Sequence, residues 1–169
     1  MRILLVLVFL FFSIPSSAIE VSNFRSGLAC THTKLTEDGR GWICQPTEDI
    51  LVTDQGSCVF NGERMPCTWV GFEFDYKNAK KHTKLQCEER LSEPLIHGNP
   101  KEVLDKGEAT GKYELELEDE SGHFYNPQYF TFVRRTKDSA LLISKTSCKL
   151  GNTVVFEYQF KVHYPVPEN

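Results

Sequence analysis

Six cysteines are the residues of this sequence whose number and spacing point most directly to chemistry. An even number of cysteines in an exported chain predicts a set of disulfides. Zinc binding is the alternative use of cysteine, but the sequence contains no Cys-x-x-Cys motif. The sequence therefore predicts structural bridges, with neither a metal ion nor a cofactor, and it assigns all six cysteines to disulfides: Cys30, Cys44, Cys58, Cys67, Cys87 and Cys148.

Turn signals favour one pairing of these cysteines. Glu-Asp-Gly at 37–39 lies midway between the first two cysteines, and Asn-Gly-Glu-Arg at 61–64 lies midway between the next two. Strands on either side of such a turn pair as a hairpin, which places the two cysteines opposite each other. The favoured scheme is Cys30–Cys44, Cys58–Cys67 and Cys87–Cys148. The alternative joins Cys67 to Cys87 across a turn at 76–78, and Cys58 to Cys148.

The five histidines are the next candidates for acid–base chemistry or metal binding. They are scattered along the chain, with neither a His-x-His nor a His-Glu-x-x-His motif. His163 falls on the polar side of an alternating segment, and His82 lies beside lysines. The pattern favours solvated histidines and leaves open a cluster of His97, His123 and His163 that only the fold could assemble.

No nucleophile stands out, because the Gly-x-Ser-x-Gly motif is absent. Acidic residues at 116 and 118–120 offer the pair of carboxylates that a glycoside hydrolase needs. However, Glu114, Glu116 and Glu118 alternate with apolar residues, which is typical of the solvated face of a strand. The sequence therefore disfavours an enzyme, and a small secreted hydrolase with a site assembled from Glu, Asp and His is kept as an alternative.

Aromatic residues around Asn-Pro at 126–127 form the one candidate binding site. Phe124, Tyr125 and Tyr129 flank this predicted turn, where rigid rings offer a large contact area at low entropic cost. The competing interpretation is that Phe124, Phe130 and Phe132 fill the core, with the two tyrosines at its edge.

Charge narrows the classes of partner. The chain has 19 basic and 23 acidic residues, a net charge of −4, and loss of Arg2 with a signal peptide makes it −5. A protein that binds the nucleic-acid backbone needs a basic stripe, and nucleic acid is therefore not an expected partner. The local basic cluster is Lys80, Lys81 and Lys84 with His82. A solvated turn accounts for it, with anion binding as the alternative.

Alternation of apolar and polar residues predicts the strands that would carry these groups. In the clearest case, 154–164, every second residue is apolar, and two prolines follow at 165 and 167. Residues 69–76 alternate in the same way and are expected to pair, after a turn at 77–81, with a strand containing Leu85 and Cys87. Further strands are predicted at 113–117, 124–125, 129–133 and 141–150, with one helical turn at 100–106.

Short strands separated by Gly, Asn and Asp predict an all-β fold, an antiparallel β-sandwich. The segment 111–117, followed by an Asp-Glu-Ser-Gly turn, resembles a hairpin of immunoglobulin-like sandwiches in the broad sense. Residues 19–169 are expected to form a single disulfide-stabilised domain. Within it, 68–164 form the main sandwich, and 19–67 add disulfide-tied N-terminal hairpins as an extension.

Residues 1–18 have the pattern of a secretory signal peptide. Arg2 precedes an apolar run at 3–12, and Ser16 and Ala18 place small residues at positions −3 and −1 of a cleavage site. Such a run covers about 15 Å as a helix, half of a hydrocarbon core of about 30 Å, and is too short to cross it. The protein is therefore expected to be periplasmic or secreted and not membrane-spanning.

Together these features predict an exported, non-enzymatic binding or interaction protein. Its partner is expected to be another extracytoplasmic protein or a small apolar ligand. The first alternative is an apolar-ligand (lipid) carrier with a pocket between the sheets, for which 12 phenylalanines and 6 tyrosines provide material. The second alternative is the small hydrolase described above.

Overall fold

Ten β-strands make up the regular structure of the described part of the chain. A computed structural model of the protein describes residues 19–30, 41–60, 62–93, 109–132 and 140–165. The strands are β1 (Glu20–Cys30), β2 (Trp42–Pro46), β3 (Asp49–Leu51), β4 (Gly56–Phe60), β5 (Glu63–Lys77), β6 (Thr83–Leu91), β7 (Thr110–Leu117), β8 (Gly122–Thr131), β9 (Leu141–Leu150) and β10 (Thr153–His163).

The strands form two five-stranded sheets that pack face to face. The first sheet has the order β2-β1-β5-β4, with β8 also paired to β5, and the second has the order β3-β10-β9-β6-β7. Neighbouring strands in the described ranges are antiparallel, except for the short parallel pair of β3 and β10. The predicted all-β, antiparallel sandwich is therefore confirmed, with this one parallel exception.

Aromatic rings from both sheets fill the space between them. Phe72 of β5 lies 5.0 Å from Tyr158 and 5.3 Å from Phe156 of β10, measured between ring centroids. Phe24 of β1 lies 5.2 Å from the same Phe156. Buried apolar surface contributes about 25 cal/mol per Å² to stability, so burial of these rings stabilises the packing of the two sheets.

β5 and β6 do not form the hairpin that alternation predicts. They lie in different sheets, and the connection at 78–82 passes from one sheet to the other, with Asn78 and His82 at φ of 60° and 58°. The Ala79 N–H donates to the carbonyl of Glu120, in the β7–β8 connection, which also crosses between the sheets. A half-buried strand has the same period in either sheet, so alternation alone cannot choose the partner.

The structure joins the cysteines as the favoured scheme predicts. Cys30–Cys44 links β1 to β2, and Cys58–Cys67 links β4 to β5, so each bridge lies within one hairpin. Cys87–Cys148 joins residues that are directly opposite each other on β6 and β9 and 61 positions apart in sequence. This long bridge therefore lies within one sheet, whereas the conserved bridge of antibody domains connects the two sheets.

β8 runs straight through the Asn-Pro turn predicted at 126–127. Pro127 lies opposite Gly71 of β5, and a Cβ on Gly71 would stand 2.3 Å from the carbonyl oxygen of Asn126. Glycine is therefore required for this close approach of two backbones. Proline is tolerated in an edge strand, and within the described ranges only β5 pairs with β8.

β9 and β10 agree most closely with their sequence pattern. β9 occupies the predicted range, and β10 places Phe156, Tyr158, Phe160 and Val162 in the core. Val154 departs from the pattern and is 46% exposed, because the register shifts between Val154 and Phe156. Such a bulge inserts one residue and reverses the side on which the preceding side chains lie.

The residues expected to form an N-terminal extension contribute strands to both sheets. β1 pairs with β5 from Glu20 to Leu28, and β3 pairs with β10. The expected boundary at residue 67 falls inside β5, which continues to Lys77. The predicted signal peptide at 1–18 and the helical turn at 100–106 lie outside the described residues. Among the residues that are described, none belongs to a helix capable of crossing a bilayer.

Candidate functional site

The three aromatic residues predicted to bind a ligand lie on two different faces of β8. Phe124 packs into the core, with its ring centroid 5.2 Å from that of Phe74. Successive side chains of a strand lie on opposite faces of the sheet. Tyr125 and Tyr129 lie one and five positions after Phe124, so both are on the outer face of the first sheet. The three side chains therefore do not share one surface. Phe124 and Phe130 follow the competing interpretation as core residues, whereas Phe132 does not, because it is 43% exposed.

Tyr129 contacts β4 and β5 on the outer face of the first sheet. Its hydroxyl donates to the carbonyl of Val59 in β4 at 2.8 Å. Its ring meets Trp69 of β5 edge to face at a centroid distance of 5.4 Å. Both rings are partly buried, so this pair fastens β4, β5 and β8 together on the outside of the first sheet.

Residues 41–43, where the chain enters β2, cover part of this outer face. We call them the β1–β2 hairpin end. The pairing of β1 with β2 shifts register between Leu28 and Ala29, beyond the last residue of β1 that pairs with β5. The Ile43 N–H then reaches β5 and donates to Glu73 Oε2 at 3.0 Å. Gly41 lies so near Tyr125 that a Cβ there would be 2.7 Å from its hydroxyl oxygen. The hairpin end therefore lies across β5 and β8.

Glu73 is a carboxylate buried beneath this hairpin end. It is 1% exposed, and besides the Ile43 N–H it accepts a hydrogen bond at Oε1 from Nη2 of Arg25 in β1. His123 Nε2 lies 3.7 Å from its other oxygen. A buried carboxylate is costly unless it is paired and hydrogen-bonded, and these groups meet that need. Burial, and secondly the charge of Glu73, raise the pKa of Tyr125.

Asp75 and His123 form a second pair, one step further along the same face. His123 Nδ1 is 2.9 Å from Asp75 Oδ1, and Asn23 Nδ2 donates to Asp75 Oδ2 at 2.7 Å. The bond from Asn23, followed by that from His123, holds the pKa of Asp75 below its usual value. His123 therefore lies between two carboxylates, in a network that joins β1, β5 and β8.

This cluster contains hydrolase side chains without a hydrolase arrangement. An Asp–His pair activates a nucleophile when the second imidazole nitrogen faces a hydroxyl or thiol. In this cluster the second nitrogen of His123 faces Glu73, and every cysteine is in a disulfide. Across the described ranges, no three His, Cys, Asp or Glu side chains are grouped so as to hold a metal ion. The network is suited to fixing the hairpin end on the first sheet.

The basic cluster that includes His82 and Lys84 lies beside the acidic strand face that includes Glu114 and Glu116. Lys84 Nζ donates to Glu114 Oε2 at 3.1 Å, and His82 Nδ1 lies 2.7 Å from Glu116 Oε1. Lys84 and Glu114 therefore form an exposed ion pair on the second sheet, and His82 and Glu116 form an exposed polar contact beside it. Pairs of this kind contribute little to stability.

The histidine cluster considered from the sequence is not assembled among the described residues. His123 pairs with Asp75 on the first sheet, whereas His163 Nε2 lies 3.2 Å from Asp49 Oδ1 beside β3. His97 lies outside the described residues.

A further carboxyl group, Glu89 of β6, points between the sheets. Ser144 of β9 donates to Glu89 Oε1 at 2.6 Å. Burial raises the pKa of Glu89, and the bond from Ser144 offsets only part of this effect. Burial likewise raises the pKa values of Tyr113 and Tyr158, which lie in the same region of the interior. Sequence reasoning missed this residue, because Glu89 reads as one of three consecutive polar residues at 88–90.

Replacing Glu89 with glutamine is expected to stabilise the protein at neutral pH by about 1 kcal/mol, a typical single-site effect. The pKa of Glu89 is higher in the folded protein than its ordinary value of 4.5. The folded protein therefore loses stability as the pH rises from 4.5 through the folded pKa, because the buried carboxyl group then has to ionise. The gain of Glu89→Gln over the parent should therefore grow from pH 4 to pH 8 in urea denaturation. Glu88→Gln is the control of opposite sign, because Arg90 lowers the pKa of Glu88. A gain for Glu89→Gln that does not change with pH would contradict this prediction.

An open groove of about 740 Å³ lies on the outer face of the second sheet. We call it the second-sheet groove. Most of its polar side chains alternate with the core residues of four strands, and they are Gln86, Glu88, Arg90, Lys112, Lys145, Ser147, Lys149, Glu157 and Gln159. Glu48, which precedes β3, also lines the groove. Arg90 donates to Glu88 at 2.5 Å. Within the described ranges no carboxylate forms an ion pair with Lys112, Lys145 or Lys149.

The residues of the second-sheet groove fall into three rows across the strands. Lys145 of β9 lies opposite Arg90 and Gln159, Ser147 lies opposite Glu88 and Glu157, and Lys149 lies opposite Gln86. Lys112 extends the middle row, opposite Glu88. Sequence reasoning missed this surface, because the rows join residues from four distant segments.

Comparison with known proteins finds no family model and no curated protein that matches this chain.

Proposed function

We propose that this protein is an exported, non-enzymatic binding protein whose ligand site is the second-sheet groove. Three intramolecular disulfides and an all-β fold fit a stable extracellular protein, because disulfides persist in oxidising compartments. The predicted signal peptide supports the same location. The groove takes a ligand that carries negative charge.

The observation that carries this proposal is the set of unpaired lysines in the groove. Lys145 and Lys149 are exposed on β9, the central strand of the second sheet, and Lys112 joins them from β7. The protein as a whole has a net charge of −4, so this local excess of cations differs from the rest of the chain. The groove carries four cations, Arg90 and the three lysines, against the carboxylates of Glu48, Glu88 and Glu157, and a local excess of positive charge favours a ligand of the opposite sign.

The enzymatic alternative has less support. The titratable cluster on the other sheet consists of Glu73, which is buried beneath the β1–β2 hairpin end, and of Asp75 and His123, which are exposed. Both nitrogens of His123 face carboxylates, which is not the arrangement in which an imidazole activates a nucleophile.

The apolar-carrier alternative also has less support. Such a carrier needs space between its sheets, and that space is occupied by rings whose centroids are 5.0–6.4 Å apart. Phe130 and Phe160 fill one part of it, and Phe74 and Phe156 fill another. Native mass spectrometry of the purified protein would detect a lipid that co-purifies.

The proposal is tested with the double variant Lys145→Glu/Lys149→Glu. Three fluorescent probes are titrated: hexaglutamate, hexagalacturonate, and a hexasaccharide of alternating glucuronate and N-acetylglucosamine. At least one probe should bind the parent, and the variant should bind it at least about tenfold more weakly, as expected when interfacial charges are reversed.

The control variant is Lys80→Glu/Lys81→Glu, which makes the same change of charge at the exposed β5–β6 connection. It should bind the probe as the parent does. Equal weakening by the two variants would show attraction by net charge alone and would overturn the proposal. Failure of all three probes to bind the parent would overturn it as well.

A further inference from the structure

We propose that the ligand of the second-sheet groove is an acidic oligosaccharide in which acidic and neutral sugars alternate. This inference rests on the proposed function and specifies the chemistry of its ligand. It follows from the order of charged and hydrogen-bonding groups in the three rows of the groove.

The two outer rows of the groove are cationic. Lys145 and Arg90 lie in one, and Lys149 lies in the other. Lys145 and Lys149 are four residues apart on one strand and share a face, so their Cα atoms are about 13 Å apart. A ligand that contacts both rows therefore needs two negative groups separated by a length of several chemical units.

The middle row accepts hydrogen bonds. Where this row crosses β9, Ser147 lies between Glu88 on β6 and Glu157 on β10, and Lys112 lies beyond Glu88 at the β7 end of the row. Glu88 accepts a hydrogen bond from Arg90 of the neighbouring row, whereas Glu157 has no ion-pair partner within the described ranges. Glu157 is therefore the carboxylate that a ligand running along β9 meets between Lys145 and Lys149. Carboxylates accept hydrogen bonds from hydroxyl groups and repel other anions. The segment of ligand between its two negative groups must therefore be neutral and rich in donors, as a sugar ring is.

The amide side chains of the groove extend this complementarity. Gln159 lies beside Lys145, and Gln86 lies beside Lys149, so each lysine of β9 has a neighbour that both donates and accepts. Sugar hydroxyls and N-acetyl groups need both functions. Gln86 also donates to Glu114 at 2.6 Å, which leaves its carbonyl oxygen available as an acceptor.

An acidic peptide fits this surface less well. Extended peptides usually bind by adding a strand to an open sheet edge. The groove instead lies on the face of the sheet, over β6 and β9, whose backbones are paired on both sides. A peptide with a carboxylate on every residue would also place negative charge against Glu88 and Glu157.

Isothermal titration calorimetry with unlabelled forms of the three probes and with neutral maltohexaose tests this inference. The alternating hexasaccharide should bind the parent at least about tenfold more tightly than hexagalacturonate, whose every unit is acidic, and than hexaglutamate. Maltohexaose should bind more weakly still, because it lacks the charges that the two outer rows recognise.

Glu157→Gln tests the role of the middle row. It should raise the affinity for hexagalacturonate about threefold to tenfold and leave the alternating hexasaccharide within about twofold, so that the ratio of the two affinities falls. Glu118→Gln, the same change at an exposed residue outside the groove, should leave that ratio unchanged.

The outcomes separate this inference from the proposed function. If hexaglutamate, hexagalacturonate or maltohexaose binds in the groove as tightly as the alternating hexasaccharide, the ligand class is wrong and the site stands. If Glu157→Gln leaves the ratio unchanged, the role given to the middle row is wrong and the inference falls. If no probe binds the parent, both the inference and the proposed function fall.

Discussion

Replacing Cys87 and Cys148 with alanine is expected to lower the free energy of unfolding by about 4 kcal/mol. The bridge joins residues 61 positions apart, so it removes a large loop-closure entropy from the unfolded chain. Both cysteines are also part of the core, at 3% and 0% exposure, and the two alanines fill less space there. The measurement is urea denaturation followed by tryptophan fluorescence.

The matched control is Cys30→Ala/Cys44→Ala, which likewise removes one disulfide and replaces two cysteines with alanine. This bridge closes only 14 positions, for which the same chain-entropy relation predicts about 3 kcal/mol. Cys44 is exposed, so little packing is lost at that residue. The urea midpoint should therefore fall further for the Cys87/Cys148 variant than for the control. The reverse order, or an unchanged midpoint for the Cys87/Cys148 variant, would contradict the prediction.

Alternation of apolar and polar residues predicts a strand correctly when one of its faces lies in the core and the other in solvent. β9 and β10 each have one face in the core and one in solvent, so a period of two is visible in the sequence. The hairpin bridges were predictable for a related reason. A turn signal predicts that the two flanking segments pair, which brings the cysteines within bridging distance. The exact register was wrong, because Cys30 lies opposite Trp42 and Cys58 lies opposite Met65.

The assignment of strands to sheets could not be predicted from the same pattern. β5 and β6 are separated by a short turn that looks like a hairpin connection, yet the two strands lie in opposite sheets. The residues that decide this are distant in sequence, such as Glu120, whose carbonyl accepts the Ala79 N–H. Likewise, Asn-Pro at 126–127 reads as a turn until Gly71 of β5 is seen opposite it.

The candidate sites were hidden from the sequence for the same reason. Glu73 and Glu114 both read as polar residues that alternate with apolar ones on a strand, yet Glu73 is buried and Glu114 is exposed. The difference arises because the β1–β2 hairpin end folds over Glu73. Arg25, its ion-pair partner, is 48 positions away, so spacing carries no signal of the pair.

Arg25→Ala is expected to destabilise the protein by about 2 kcal/mol. Glu73 stays buried in this variant with the Ile43 N–H as a donor, but it loses the guanidinium that balances its charge. Removal of one partner from a fully buried ion pair costs about 3–5 kcal/mol. Arg25 is 50% exposed, so solvent already screens part of the attraction and the expected loss is smaller. Urea denaturation at neutral pH measures it.

Two comparisons make this prediction specific to the buried carboxylate. Lys84→Ala removes the cation from an ion pair in which both side chains are about half-exposed, and it should change the urea midpoint little. Adding Glu73→Gln to Arg25→Ala should recover part of the lost stability, because the double variant no longer buries an unbalanced charge. If Arg25→Ala costs no more than Lys84→Ala, Glu73 does not depend on Arg25 for its burial. If the second substitution lowers stability further, the remaining contacts of Glu73, from the Ile43 N–H and His123, hold the hairpin end without Arg25.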